Sequence, residues 1–357
     1  MLRGASLAGL LVAALASSSV TPARLVNARI AARSAASGLD REVRTLISSR
    51  PGPLWIGYEV AANRRRQSCC WPSTVEAGSG CGGCRLEEGK GAFRPEPADP
   101  VPLEGSPRVR VLLRAEGGRI GRVRAFSEDC WLDAGGLPLA WLEGVRPVDS
   151  VGYLSTLATS GLEDDVRGKG FGDAVLAAIA FHADPAADDA LERFAAPGQP
   201  TSRRRRAAFW LGEARGARGF ATLSRLVRED ADPRFREHVV FALTQSGEPK
   251  AIDTIVEVAR RDENPRVRGQ ALFWLAQTAS RRAAETIETA LESDPEIEVK
   301  KKAVFALSQL PSDEGVTHLI RVARTHRSRE VRRQAMFWLG QSGDPRALAF
   351  FEEVLRR

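Results

Sequence analysis

A phenylalanine recurs every 32 residues through the C-terminal half of this 357-residue chain. The five copies stand in matching contexts: AAFWLGEA, VVFALTQS, ALFWLAQT, AVFALSQL and AMFWLGQS. A period of this length is typical of an array in which every unit is one small supersecondary motif. One step further back reaches Ala177 in a degenerate unit, so we predict about six repeats over residues 165–357.

Each unit carries two amphipathic helical patterns. Counted from the phenylalanine, apolar residues lie at −6, −2 and +2 in the first helix and at +11, +14 and +17 in the second. In one unit these are Phe235, Val239, Leu243, Ile252, Ile255 and Val258. A spacing of three or four residues places them on one stripe of a helix. A single hairpin cannot bury its stripe, so neighbouring units must stack into an α-solenoid.

The strings NPRVRGQALFWLAQ, EIEVKKKAVFALSQ and SREVRRQAMFWLGQSGDPRAL resemble bacterial HEAT-like repeats of the phycobilisome-lyase type. The resemblance covers residues 165–357. It implies a solenoid in which the first helix of each unit lines the concave side. Repeats of this type occur in scaffolds, enzyme subunits and adaptors, so the resemblance leaves the function open.

The phenylalanine column points away from the predicted core. At about 100° per residue, the three apolar positions of the first helix lie on the side opposite the ring. A contiguous aromatic stripe on a polar face is typical of an interaction surface. The predicted partner-binding residues are Phe209, Phe241, Phe273, Phe305, Phe337, Gln245, Gln277, Gln309, Gln341, Arg206, His238 and Lys302. In the alternative interpretation the rings fill the seams between units or lie under the N-terminal domain.

Two neighbouring columns favour structural roles. The residue after each phenylalanine alternates between tryptophan and alanine, which predicts interlocking core packing between units. The column at −5 is basic, and we expect it to pair with inter-repeat acids such as Asp232 and Asp294 or with helix-end carbonyls. Its members are Arg204, Arg236, Arg268, Lys300 and Arg332.

Residues 24–164 lack the repeat and predict a smaller α+β or mostly β domain. The pattern indicates a helix at 39–49, a strand at 54–60 and a hairpin made by residues 108–115 and 120–126. We expect Trp131, Leu139 and Trp141 in its core. A proline-rich stretch occupies residues 95–107. The predicted fold class is therefore multi-domain, with a C-terminal all-α HEAT-like solenoid.

Five cysteines lie in this N-terminal domain: Cys69, Cys70, Cys81, Cys84 and Cys130. In an exported protein they favour disulfides, although the sequence does not decide the pairing. A zinc site is the second interpretation, but adjacent Cys69 and Cys70 lack the usual ligand spacing. Redox chemistry at Cys81-Gly-Gly-Cys84 is the third, and no βαβ pattern surrounds it. We predict no metal.

Residues 1–23 predict a signal peptide, with Arg3 before a short apolar stretch. The alternative is an anchor that stays attached. Cleavage would leave a mature chain without a transmembrane segment, exported to the periplasm or beyond the cell. The 52 basic and 45 acidic residues are spread along the chain, which argues against a nucleic-acid partner.

No catalytic motif of a known hydrolase or nucleotide-binding type occurs in the sequence, so we predict neither an enzyme nor a cofactor. The predicted function is an exported scaffold that binds another protein. One alternative is a lyase-like or cofactor-attachment enzyme subunit that uses the N-terminal cysteines. Another is a self-assembling envelope protein, because the last helix carries Phe350, Phe351, Val354 and Leu355 and permits weak self-association.

Overall fold

The computed structural model describes residues 22, 24–63, 69, 83–87, 92–93, 106–160, 170–278 and 281–356. Several sequence predictions lie outside these residues. They are most of the signal peptide, most of the proline-rich stretch, the domain boundary at residues 164 and 165, and two of the cysteines, Cys70 and Cys81. No described helix is both long and apolar enough to cross a membrane.

The N-terminal part is an α+β domain, as predicted. Its elements are β1 (Leu25–Val26), β2 (Arg29–Ser34), α1 (Leu39–Ser49), β3 (Leu54–Ala61), β4 (Gly83–Arg85), β5 (Ala92–Phe93), β6 (Arg108–Glu116), β7 (Arg119–Ser127), β8 (Leu132–Asp133) and β9 (Pro138–Glu143). A five-stranded sheet has the order β2-β9-β3-β6-β7, and a smaller sheet has the order β1-β8-β4-β5. The predicted helix, strand and hairpin all form, with Gly117 and Gly118 at positive φ in the hairpin turn.

The larger sheet is buried on both faces. On one face, α1 places Leu39 and Val43 against Tyr58 in the main core of the protein. On the other, Trp55 and Trp141 form a second core cluster with residues of the smaller sheet. The prediction that Trp131 is a core residue is wrong. Its ring is half-buried beside the Arg24 guanidinium, 6.0 Å from the ring centre.

Helices fill the rest of the described chain. They are α2 (Pro147–Thr159), α3 (Phe171–Ala180), α4 (Ala186–Ala195), α5 (Thr201–Ala214), α6 (Gly216–Glu229), α7 (Pro233–Thr244), α8 (Ala251–Arg261), α9 (Pro265–Gln277), α10 (Arg281–Ser293), α11 (Ile297–Ser308), α12 (Ser312–Thr325), α13 (Arg329–Gln341) and α14 (Pro345–Leu355). Residues of the connecting turns cap three of these helices. Asp232, Asn264 and Asp344 each accept a hydrogen bond from the backbone N–H two residues later, with proline between.

The helices form two layers with different packing. The phenylalanine-bearing helices α5, α7, α9, α11 and α13 pack closely on one another in succession, and we call them the inner helices. The intervening helices α6, α8, α10, α12 and α14 touch their counterparts much less, and we call them the outer helices. Closer spacing on one side curves the stack, so the inner helices line its concave side.

The predicted core positions are buried through most of the array. Phe235, Val267 and Val299 are at most 1% exposed at the −6 position. The pattern fails in α14, where Leu348 and Val354 of the predicted stripe are exposed. Phe350, which we expected on an open stacking face, is buried and has the Arg324 guanidinium 5.2 Å from its ring centre.

The two parts share one hydrophobic core that extends from α1 to α14. At the joint, the end of β3 pairs with the residues that follow α3: Ala183 N–H donates to Ala61 and Asn63 N–H donates to Phe181. A buried chain of side chains lies beside this pairing. The Tyr58 and Ser150 hydroxyl oxygens are 2.8 Å apart, as are Ser150 Oγ and His182 Nε2.

The joint holds His182 neutral. Its Nδ1 lies 2.7 Å from the Ala178 carbonyl and must donate, so Nε2 accepts from Ser150. Burial lowers the pKa of His182 to about 4. Ser150 and His182 are in contact, but both side chains are fully buried from solvent.

Candidate functional site

A ladder of buried ion pairs fixes the inner helices. Arg236 binds Asp262 at 2.9 Å, Arg268 binds Asp294 at 2.7 Å, and Arg204 binds Asp230. Each arginine also donates to a backbone carbonyl. The prediction that the basic column pairs with inter-repeat acids is thus correct for Asp294, which binds Arg268. It is wrong for Asp232, which caps α7 while Asp230 takes the ion pair.

In the last two units, hydrogen bonds to backbone carbonyls replace the buried ion pairs. Lys300 Nζ donates to the Glu292 carbonyl at 2.7 Å, and Arg332 donates to the His326 carbonyl at 2.7 Å. His326 stands where the preceding units have aspartate, and its Nδ1 accepts the Ser328 N–H as those carboxylates accept theirs. Burial lowers the pKa of Lys300. The stack is therefore held by ion pairs at one end and by bonds to carbonyls at the other.

On the concave side, nine aromatic rings touch in one unbroken series, which we call the aromatic ladder. In order of contact, its members are Phe181, Trp210, Phe209, Phe241, Trp274, Phe273, Phe305, Trp338 and Phe337. Neighbouring ring centres are between 4.9 Å and 6.1 Å apart. Aromatic pairs at these distances attract one another through dispersion and their quadrupoles.

The ring contacts of the aromatic ladder repeat every two units. Phe209 and Phe241 stack with nearly parallel planes, as do Phe273 and Phe305. Between these stacked pairs lies Trp274, which bridges Phe241 and Phe273 at 5.0 Å from each. The alternation of tryptophan and alanine in the sequence produces this two-unit period, because only every second unit supplies a bridging indole.

The phenylalanine rings lie outside the hydrophobic core. Four are half-buried and Phe337 is 53% exposed, and none belongs to the core cluster or packs against it. Each of these rings contacts other rings of the aromatic ladder, and Phe241 also contacts His238. The rings cross the joints between units, as the seam interpretation expects, and they remain partly accessible to solvent, while the predicted binding role stays a prediction.

Sequence reasoning missed four members of the aromatic ladder. Trp210, Trp274 and Trp338 pack against the core as predicted, but they also connect the phenylalanines. The neighbouring Phe-Trp pairs were the available signal. The fourth, Phe181, lies in the degenerate unit at the +4 position, where most later units have glutamine. Aligning that column would have found it.

The indole nitrogens differ along the aromatic ladder. Trp210 Nε1 donates to Asp173 at 3.0 Å. The corresponding nitrogens of Trp274 and Trp338 are shielded from solvent and have no hydrogen-bond partner among the described residues. An unpaired buried N–H costs stability, so these two tryptophans are held by packing alone.

The predicted polar border follows the aromatic ladder in every unit. Gln277, Gln309 and Gln341 are exposed and Gln245 is half-buried, and Gln245 and Gln309 each donate to the hydroxyl of the preceding residue. His238 lies 5.7 Å from Phe241, and its Nε2 is 2.8 Å from the Arg205 carbonyl. Burial lowers the pKa of His238, which leaves a neutral ring at the edge of the surface. Arg206 is half-buried on the same border.

Three cations on the inner helices make no ion pair among the described residues: Arg205, Lys302 and Arg333 are exposed there. The aliphatic stem of Lys302 lies across Gly269, where an added Cβ would come within 3.0 Å of it. A glycine at this position thus lets the lysine cross from one inner helix to the next. These cations lie beside the aromatic ladder and are accessible to an anion.

Three of the N-terminal cysteines are disulfide-bonded in the described part of the chain. Cys69 is bonded to Cys130, with Cα atoms 5.7 Å apart, and Cys84 is disulfide-bonded as well. The remaining candidates for the second bond, Cys70 and Cys81, lie outside the described residues. Asp129 is close enough to Cys69 and Cys130 to suggest a metal cluster, but their sulfur atoms are already bonded to each other.

Comparison with known proteins bears on the repeats. Residues 189–276, 252–335 and 284–357 match HEAT repeats. Among solved structures, human deoxyhypusine hydroxylase in complex with glycerol is 15% identical over 58% of this chain and 90% of its own, with a TM-score of 0.25. Cex1p is 11% identical over 60% of this chain and 46% of its own, with a TM-score of 0.35. The sequence matches no curated protein.

Proposed function

Because residues 189–357 are HEAT repeats, we propose that this protein is a scaffold that binds another protein along the aromatic ladder on its concave side. HEAT repeats are generally protein-interaction modules. The observation that carries the proposal is the position of the five phenylalanines: they lie outside the core, in one continuous series, on the side that a partner can enter. Aromatic residues and arginine are enriched at protein interfaces.

The proposal assigns binding to this surface and no catalysis. Its side chains are mainly rings, amides and cations, together with Glu213 and Glu237, and these groups can recognise a partner without a nucleophile. The Ser150–His182 contact is fully buried at the joint and supports the fold.

The proposal also places the protein outside the cytoplasm. The Cys69–Cys130 disulfide supports this, since such bonds persist in oxidising compartments. The expected result is a processed chain in the exported fraction, with its N-terminus beyond the predicted signal peptide. An intact N-terminus and reduced cysteines in the native cell would contradict it.

Partner capture with matched variants tests the binding role. The double variant Phe241→Ser and Phe273→Ser should lose a partner that the unchanged protein retains, while circular dichroism shows the same helical content. Leu348→Ser, an exposed apolar residue on an outer helix, should retain it. Equal capture by the double variant and the unchanged protein would refute the proposed surface.

A further inference from the structure

We propose that the segment bound by the aromatic ladder is an acidic, proline-rich stretch in the polyproline II conformation. The inference rests on the proposed function and names the chemistry of the partner. Four features of the inner helices support it: the exposed ring edges, the spacing of the units, the column of glutamines and the unpaired cations.

The rings suit proline. Proline-rich segments dock into grooves lined by aromatic side chains, because their conformation is formed before binding and little entropy is lost. The aromatic ladder presents such a lining without a break from Phe181 to Phe337. Its phenylalanines at the repeat positions are held by neighbouring rings, and its tryptophans also pack against the core, so the aromatic ladder offers a rigid surface to a rigid ligand.

The spacing of the units selects the conformation. Packed helices lie about 8–10 Å apart. A polyproline II helix has three residues per turn and rises about 3.1 Å per residue, so one turn advances about 9 Å. One turn therefore advances by about one unit of the array, while the ring centres within the stacked pairs Phe209–Phe241 and Phe273–Phe305 are closer, at 6.1 Å and 5.8 Å. A β-strand repeats its side-chain direction about every 6.6 Å and an α-helix about every 5.4 Å, so neither stays in step with the array.

The glutamines supply hydrogen bonds at the same period. A polyproline II segment makes no internal hydrogen bonds, and its carbonyls are free to accept. Gln245, Gln277, Gln309 and Gln341 occur once per unit. Gln277 and Gln341 are exposed, and their amides have no hydrogen-bond partner among the described residues. Each can donate one bond per turn of ligand.

The charges select an acidic ligand. On the outer helices, arginines bridge to carboxylates of the neighbouring unit, as Arg228 does to Glu257 at 2.8 Å. On the inner helices, Arg205, Lys302 and Arg333 have no such acid among the described residues, although Glu213 and Glu237 lie in the same columns of these helices. Carboxylates in the partner would supply the missing counterions and speed the encounter.

Three fluorescent peptides test the inference on the full chain. One repeats Pro-Pro-Glu five times, one repeats Pro-Pro-Lys five times, and one repeats Gly-Ser-Glu five times. The first should bind at least about tenfold more tightly than the other two in fluorescence anisotropy, a difference of about 1.4 kcal/mol. Its affinity should fall as salt increases.

Charge reversal provides a variant that leaves the core intact. Lys302→Glu with Arg333→Glu should weaken the Pro-Pro-Glu peptide about tenfold and strengthen the Pro-Pro-Lys peptide. Arg260→Glu makes the same kind of change at an exposed position on outer helix α8 and should alter neither. Phe241→Ser with Phe273→Ser should weaken both proline peptides.

The outcomes separate this inference from the proposed function. Tighter or equal binding of Gly-Ser-Glu or Pro-Pro-Lys relative to Pro-Pro-Glu overturns the inference, and so does the absence of binding by all three peptides. In either case the scaffold proposal stands if the phenylalanine variants still lose the native partner. Retention of that partner by those variants overturns the scaffold proposal instead.

Discussion

The inner and outer helices use the same residue types for different purposes. On the outer side, arginines bridge units through exposed ion pairs: Arg218–Asp189, Arg225–Glu192, Arg228–Glu257, Arg282–Asp253, Arg321–Glu288 and Arg324–Glu353. On the inner side, rings bridge the units and several cations are unpaired. The outer arginines are paired with acids of the chain itself. The inner cations that lack such a pair lie beside aromatic rings and are available to another molecule.

Between the two sides lies the buried ion-pair ladder. It is separate from both surfaces, because Arg204, Arg236 and Arg268 are each less than 9% exposed. If the inner and outer helices have these different roles, the free energy of unfolding depends mainly on this interior layer and on the joint. Binding then depends on the inner surface, and the outer pairs affect each property least.

The largest expected effect comes from breaking the interior layer. Arg268→Ala leaves Asp294 buried without its partner and should lower the free energy of unfolding by about 3–5 kcal/mol. Urea unfolding followed by circular dichroism measures this. Arg266→Ala, at an exposed neighbouring position, is the control and should change it by less than about 0.5 kcal/mol. Similar values for both variants would show that the ladder is not what supports the stack.

Acidification should destabilise the joint through His182. The pKa of His182 is about 4 in the folded chain and about 6.5 when unfolded, so the unfolded state takes up the proton first. Its contribution is complete above pH 6.5 and is lost as the pH falls towards 4, by about 3 kcal/mol in all. Thermal unfolding of His182→Gln should show a weaker pH dependence over this range, and an unchanged dependence would contradict the assignment.

Removal of one ring should affect binding more than folding. Phe273→Ser removes a half-buried ring that contacts Trp274 and Phe305, and we expect a stability loss of about 1 kcal/mol. Differential scanning calorimetry compares it with Leu348→Ser, which should be near neutral. A loss of 3 kcal/mol or more would be typical of a full core residue, and the inner surface would then have to be reassigned as packing.

The outer pairs should give the smallest effect. Arg228→Ala removes an exposed bridge to Glu257 and should cost less than about 0.5 kcal/mol, because exposed ion pairs are screened and entropically costly. The pKa of Glu257, which Arg228 lowers, should return towards its ordinary value in the variant, and carboxyl NMR titration measures that shift. A loss above 1 kcal/mol would remove the contrast between the two sides.

The repeat made much of the fold predictable. A fixed period places the same residue types at the same angle in every unit, so the core positions and the outward direction of the phenylalanines follow from counting.

The contacts that the sequence did not predict join residues of different units or residues far apart in the chain. Asp230 and Asp232 are two residues apart in one turn, and only the packed structure shows which one meets Arg204. The pairing of Cys69 with Cys130 closes a separation of 61 residues, which no local pattern encodes. The joining of phenylalanines and tryptophans into one series likewise depends on how far one unit is offset from the next.

The alternation of tryptophan with alanine limits how such an array can grow. Trp210, Trp274 and Trp338 are separated by 64 residues, and each faces an alanine-bearing neighbour. Duplicating or deleting a single unit would set two indoles side by side or leave two adjacent gaps. Gene duplication, or an engineer who wished to lengthen this solenoid, would therefore have to add and remove its units in twos.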